Sequence, residues 1–319
     1  MNVYLWGSRG SLPNSITERH VSQKIRNALK KSIKKNLKND ADIDDFIKND
    51  LTFSERGTYG SNTACVEIQD NDLTEANEYL LCDAGSGLRD FGVNIINSGK
   101  TGVFHIFMSH LHWDHIHGFP FFVPAFNPVN TINIYGCHSE LEEAFEYQQN
   151  FRHFPLRLHE MRATIKFHVL DIKKEYEICG YKINMIKQNH PGISYGYSFQ
   201  KNGKKIIYST DSEHNEAMED IHYPFYDFFD KADLLIFDAQ YELSDNMGDK
   251  KDWGHSSGMI GVEIAKRVKV KKLCLFHNDH TNSDEVLEKM YKDTLRYTIL
   301  SGYDSLELFP AYDGLSITI

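Results

Sequence analysis

The chain has 319 residues, of which 41% are hydrophobic and 25% charged, and its formal net charge is −10. That length supports a large buried core, and 13% aromatic residues exclude a disordered tail. The acidic balance disfavours a protein that coats nucleic acid, whose phosphates it would repel.

Strand-like runs recur from the start: "NVYLWG" (2–7), "TACVEIQ" (63–69), "EYLLCDAG" (78–85), "VFHIFMSH" (103–110), "TINIYG" (131–136), "TIKFHVL" (164–170) and "YKINMIKQ" (181–188). Residues 197–211 read as a hairpin, because Asn202-Gly203 supplies the two positive-φ positions of a tight turn. "DLLIFDAQ" (233–240), "KKLCLFHN" (271–278) and "LSITI" follow, with helical patterns at about 138–150, 256–268 and 283–300. Strands first, then strands alternating with helices, predict an α/β fold of sheets covered by helices.

Residues 15–51 interrupt this pattern. Ser15 and Glu18 suggest a capping box, and Ile16, Ile25, Leu29, Ile33 and Leu37 recur at helical spacing. Residues 19–38 carry eight Lys or Arg and no acid. Such a basic helix could steer an anionic substrate or meet a partner. The plainer expectation is a solvated face whose apolar stripe packs on the body.

Cys65, Cys82, Cys137, Cys179 and Cys274 are scattered without a CxxC pair and read as free thiols of a reducing cytoplasm. "MNVYLWGSRG" has no basic segment followed by an apolar one, so no signal peptide is expected, and no run approaches the roughly 20 apolar residues of a membrane span.

The densest chemistry lies in "SHLHWDH" (109–115), where three histidines and an aspartate follow an apolar run. Imidazole nitrogen and carboxylate oxygen are ligands of zinc and similar ions. At an extended strand end, residues two apart point the same way, so His110 and His112 can hold one ion together. Asp114 and His115 follow where the strand turns and can face a second. Further ligands should close other apolar runs, and His190, Asp211 and His277 each do so.

This order, HxHxDH followed by His, Asp and His, resembles the metallo-β-lactamase superfamily. The resemblance implies a four-layered αββα sandwich spanning 1–319 as a single domain, with residues 15–51 a basic helical insertion. It implies two divalent ions, zinc with manganese as the alternative. His110, His112 and His190 would hold one ion, Asp114, His115 and His277 the other, and Asp211 would bridge both. Asp83 matches the superfamily's early aspartate, which orients ligands from behind.

In that superfamily a Glu at this position accompanies redox di-iron sites, so with His112 the resemblance implies hydrolysis. "GSRGSLP" (7–13), "GTYGSNTACVEI" (57–68), "CDAGSGLRDFG" (82–92), "LHWDHIHGFPFF" (111–122), "DAQYE" (238–242), "WGHSS" (253–257) and "AYDG" (311–314) resemble the ribonuclease Z-like and phosphoribosyl cyclic phosphodiesterase-like group. They look nearest to cyclic-nucleotide phosphodiesterases, including the anti-Pycsar enzymes that degrade cyclic pyrimidine nucleotides. The resemblance implies a small phosphodiester substrate such as a cyclic nucleotide, and a homodimer. The long Gly-rich basic arm of ribonuclease Z is missing, so tRNA is disfavoured, although the 19–38 helix could act as a differently built arm. Two ions would acidify a water for in-line attack on phosphorus, with Asp114 and Asp211 taking its proton. His255 matches the group's histidine beside the scissile phosphate, as phosphate binder or general acid. His117 and Tyr195 are further pocket candidates. The loop 119–126 could form an apolar wall or pack into the core. A nucleotide-sequestering protein without turnover is the reading from another class.

Overall fold

The structure is a computed structural model that describes residues 1–247 and 250–319. The strands of the first half are β1 (Asn2–Gly7), β2 (Arg9–Gly10), β3 (Cys65–Gln69), β4 (Glu78–Cys82), β5 (Val103–Phe107), β6 (Thr131–Gly136), β7 (Thr164–Val169) and β8 (Tyr176–Ile178). Those of the second are β9 (Tyr181–Lys187), β10 (Tyr195–Lys201), β11 (Lys204–Ser209), β12 (Leu234–Asp238), β13 (Lys272–Phe276), β14 (Asn278–Asp279), β15 (Glu307–Pro310) and β16 (Ser316–Thr318). They build two seven-stranded sheets, ordered β16-β1-β3-β4-β5-β6-β7 and β15-β13-β12-β11-β10-β9-β8. A two-stranded ribbon, β14 with β2, joins the chain's early and late parts.

The layering follows from side-chain alternation. Along β12, Leu234 and Ile236 enter the core between the sheets, while Leu235 and Phe237 enter a second core under the outer helices. A strand buried on both faces reads as a continuous apolar run, as "LLIF" does. The inter-sheet core joins Val3, Leu5, Val66 and Leu80 of one sheet to Tyr181, Phe199, Ile206 and Cys274 of the other. Helix Gly87–Asn97 and helix Leu141–Gln148 cover the first sheet through Phe91, Ile95 and Phe145. Helix Pro224–Phe229 and helix Gly258–Val268 cover the second through Phe229, Val262 and Ile264. The α/β sandwich of helix, sheet, sheet and helix expected from the sequence is therefore present. No helix among the described residues is long and apolar enough to cross a membrane.

The hairpin turns where expected, with φ +52° at Asn202 and +73° at Gly203. Helix Asp284–Leu300 matches the pattern seen at 283–300. Helix Gly87–Asn97 went unseen, because Gly87 and Gly92 weaken its helical signature. Strand β15 also went unseen, being four residues long and ending in a proline at a sheet edge.

The segment 15–51 departs from expectation twice. Its main helix, Glu18–Ser32, starts at Thr17, and the capping box joins Thr17 to His20 rather than Ser15 to Glu18. Its apolar stripe does not pack on the body: Ile25 is 56%, Leu29 61% and Ile33 79% exposed. The helix is held by its polar side instead. Lys24 Nζ donates to the carbonyls of Ser54 and Gly57 and pairs with Asp284 at 2.8 Å.

Candidate metal centre

The parallel strands β5, β11, β12 and β13 all end at one rim, and the chemistry-bearing residues follow those ends. His110 comes three residues after β5, Asp211 two after β11, and His277 directly after β13, while Asp238 closes β12. Asp83, Asp211 and His277 have φ of +62°, +50° and +63°. A non-glycine residue with this backbone costs energy that the surroundings must supply, and such strain gathers at functional sites.

Two groups of ligand-type atoms that share no residue converge there, each with mutual distances within 4.8 Å: His110, His112 and His190; and Asp114, His115, Asp211 and His277; His255 makes further such groups with His190 and Asp211 and with Asp238 and His277. Asp211 lies between the first two. Its Oδ1 is 3.3 Å from His115 Nε2 and 3.2 Å from His277 Nε2, while its Oδ2 is 3.7 Å from both His110 Nε2 and His190 Nε2. Asp114 Oδ2 faces His115 Nε2 at 3.3 Å and His277 Nε2 at 3.4 Å, and accepts from the Ser11 amide at 2.7 Å. His112 Nδ1 stands 3.1 Å from His190 Nε2. The seven residues expected from the sequence thus meet in one place.

Four of the imidazoles are held from behind through Nδ1, which leaves Nε2 toward the centre. His115 donates to Asp83 at 2.7 Å, His110 to Ser109 Oγ at 3.0 Å, His190 to the Gly254 carbonyl at 3.0 Å and His277 to Gln240 at 2.8 Å. Asp83 is itself fixed by Ser109 N, Ser109 Oγ and Tyr208 OH, each at 2.7 Å. That is the arrangement by which carboxylates and carbonyls orient metal-bound imidazoles.

Burial and mutual charge set the protonation of these groups. Burial opposes charge on His110, and His115 beside it adds to the effect, so its pKa lies well below the ordinary value. Burial likewise disfavours charge on His115, but Asp114, Asp211 and Asp83 hold it well above. Burial would raise Asp211, yet His277, His115 and His110 keep it ionised far down the pH scale. The Nε2 atoms of His110 and His115 are buried without a hydrogen-bond partner. A nitrogen-and-oxygen donor set with two unpartnered imidazole nitrogens fits a pair of divalent ions.

His255 stands against both groups. Its ring is 5.0 Å from that of His190 and stacks at 5.1 Å on His277. Burial works against its charge, but Asp238 accepts from Nδ1 at 2.8 Å and carries the pKa to about 9. Sequence reading missed Asp238 as a site residue, although it closes "LLIFD" just as Asp211 closes "IIYSTD". It also missed Gln240 and Ser109, polar residues whose partners lie far off in sequence.

The weaker pocket candidates take other places. His117 Nε2 meets Thr63 Oγ1 at 2.9 Å, and Thr63 Oγ1 also donates to the Asp114 carbonyl, so His117 braces the turn that carries Asp114 from behind. Tyr195 packs edge-on against His138 at 5.0 Å, and its amide donates to the Ser109 carbonyl. In the loop 119–126, Phe119 and Phe122 are wholly buried; Phe121 is exposed and meets Phe154.

This fold, with ligand-type side chains gathered at one rim of its two sheets, defines the class. Residues 78–278 match the family model described as a beta-lactamase superfamily domain, and the chain belongs to that family, as a hydrolase of the metallo-β-lactamase fold. A relative in Thermococcus gammatolerans, named ribonuclease Z, is 28% identical over 261 residues, covering 63% of this chain and 74% of the relative. The metallo-β-lactamase fold protein YhfI from Bacillus subtilis superposes with a TM-score of 0.65 at 18% identity, covering 99% of this chain and 98% of that one. Yeast PDE1, unliganded, superposes with a TM-score of 0.62 at 15% identity, covering 81% and 95%.

Proposed function

We propose that the protein is a metal-dependent phosphodiesterase acting on small cyclic nucleotides, with His110, His112 and His190 holding one ion, Asp114, His115 and His277 the other, and Asp211 between them. The observation that carries the reading is the division of Asp211, with one oxygen toward each group, beside a histidine charged by Asp238. Two bound ions, zinc or manganese, supply an acidified water and positive charge against the phosphoryl oxygens.

The chain's own residues do the rest. Asp114 and Asp211 accept the proton of the attacking water. As the new P–O bond forms, the bond from phosphorus to the ribose oxygen breaks. His255, protonated at neutral pH, binds the phosphate and gives its proton to that departing oxygen. Asp238 keeps the imidazole charged and fixes its ring through Nδ1.

A cyclic-nucleotide panel, assayed with zinc or manganese and then with chelator, tests the proposal. Metal-dependent ring opening is expected; intact nucleotide recovered in every case rejects it, and tight binding with intact recovery would mark a sequestering protein. A second reading, an RNA-processing nuclease, is favoured by the relative named ribonuclease Z and by the exposed basic helix. It requires cleavage of a structured RNA precursor, with affinity that falls steeply as salt is added. The acidic balance of the whole chain favours the small substrate.

A further inference from the structure

A second cluster of ligand-type side chains lies at the other end of the sandwich. Glu78 opens β4, and His105 sits in β5 one register step from it: Glu78 pairs with Val103, and Leu80 with His105. Alternation therefore puts Glu78, Leu80 and His105 on one face, the face where Leu80 enters the core between the sheets. Cys179 belongs to the other sheet, at the turn between β8 and β9. One ligand atom from each of the three lies within 4.8 Å of the others. His105 and His110 are five residues apart along one extended segment, roughly 17 Å, so this group is remote from the rim.

Three features mark the cluster as built. His105 is 7% exposed, its Nδ1 meets Tyr135 OH at 3.1 Å, and its Nε2 is buried with no hydrogen-bond partner. A buried unpartnered nitrogen costs free energy that a ligand would recover. Cys179 has φ +55° and Gly180 +73°, the backbone of a tight hairpin turn whose first position ordinarily takes Asn, Asp or Gly. A cysteine there is strained, and the turn carries its sulfur to the carboxylate and imidazole of the opposite sheet. Lys201, whose charge reaches Cys179, is tied to Asp70 and Asp72 at 2.7 Å each.

We propose that Glu78, His105 and Cys179 form a zinc site that clips the β8–β9 hairpin to the first sheet. Oxygen, nitrogen and sulfur donors, one each, suit zinc and leave a fourth position for water. Without an ion, burial and Glu78 hold the thiol protonated. Binding releases that proton to solvent, so affinity rises with pH.

Cobalt(II) is the probe. The rim offers only histidine and aspartate, so a thiolate-to-cobalt charge-transfer band reports on Cys179 alone; no other cysteine joins such a group among the described residues. Titrating the full chain with cobalt should give this band in the wild type, and zinc should displace it. Cys179→Ser should abolish it and lower bound zinc by one ion per chain while leaving turnover in place. Glu78→Gln should weaken binding by at least the roughly tenfold that loss of an outer partner costs at such sites. A wild type without the band, or a band unchanged in Cys179→Ser, overturns the site. Turnover and the band are independent readouts, so failure of the phosphodiesterase proposal would leave this one standing, and the reverse.

Discussion

Asp83 touches neither group of ligands' open nitrogens, yet it decides where His115 points. It gathers hydrogen bonds from His115, Ser109 and Tyr208 with no exposed surface of its own. Asp83→Asn places an amide donor among donors, and metal affinity should fall about 10–100-fold in a competition titration against a chelator. At the proposed ligands themselves, His112→Ala and Asp211→Ala should abolish turnover and lower bound metal. With His255 as the proposed acid rather than a ligand, His255→Ala should cut kcat by roughly 10²–10⁴ at full metal occupancy. Gly10→Ala offers a steric test: a methyl there would overlap the His277 ring, so turnover should drop although no polar group is lost. The proposed ligands were legible in the sequence because four crowd into "SHLHWDH" after an apolar run and His190, Asp211 and His277 each close another. The positive φ of Asp83, Asp211 and His277, and the pairing of Asp238 with His255, were not, because they arise from contacts between distant segments.

The helix Glu18–Ser32 shows what periodicity conveys and what it leaves open. A 3.6-residue spacing of Ile25 and Leu29 identifies the helix correctly, but it carries no information about whether a partner covers the stripe. With those side chains largely exposed, Ile25→Ser should change stability by no more than about 0.5 kcal/mol in chemical denaturation. Lys24→Met should cost more, about 1.5–3 kcal/mol, because it leaves two carbonyls and the Asp284 carboxylate short of a charged donor. The same variant should make residues 18–32 more sensitive to protease. The opposite ranking would mean that the stripe, not the lysine, anchors the helix.

At the scale of the whole molecule, "AYDG" near the end of the sequence stitches early and late segments together. Asp313 accepts from the amides of Ser61 and Asn62 at 2.8 Å each and from Ser8 Oγ at 3.0 Å. Burial outweighs these bonds and raises its carboxyl to about 6. An unfolded aspartate titrates near 3.9, so the folded chain holds this proton more tightly between those values. The resulting stability is complete below the unfolded value and is lost as pH rises through about 6. Asp313→Asn, which cannot ionise, should therefore gain on the wild type across that window, by as much as about 3 kcal/mol, in denaturation curves at pH 4 and pH 8. The layered fold was legible from buried strands that read as apolar runs. The closure of the first sheet was not, since β16 pairs with β1 between residues such as Asn2 and Thr318, beyond any local pattern. The ribbon that joins Arg9 to Asn278 has a consequence during synthesis. A nascent chain released from the ribosome's tunnel only as far as β12 already carries six of the seven proposed rim ligands but lacks His277, and β2 still lacks β14, the strand it pairs with. Premature termination before that histidine should yield a product whose rim captures one ion at most, whatever share of the sandwich has already formed.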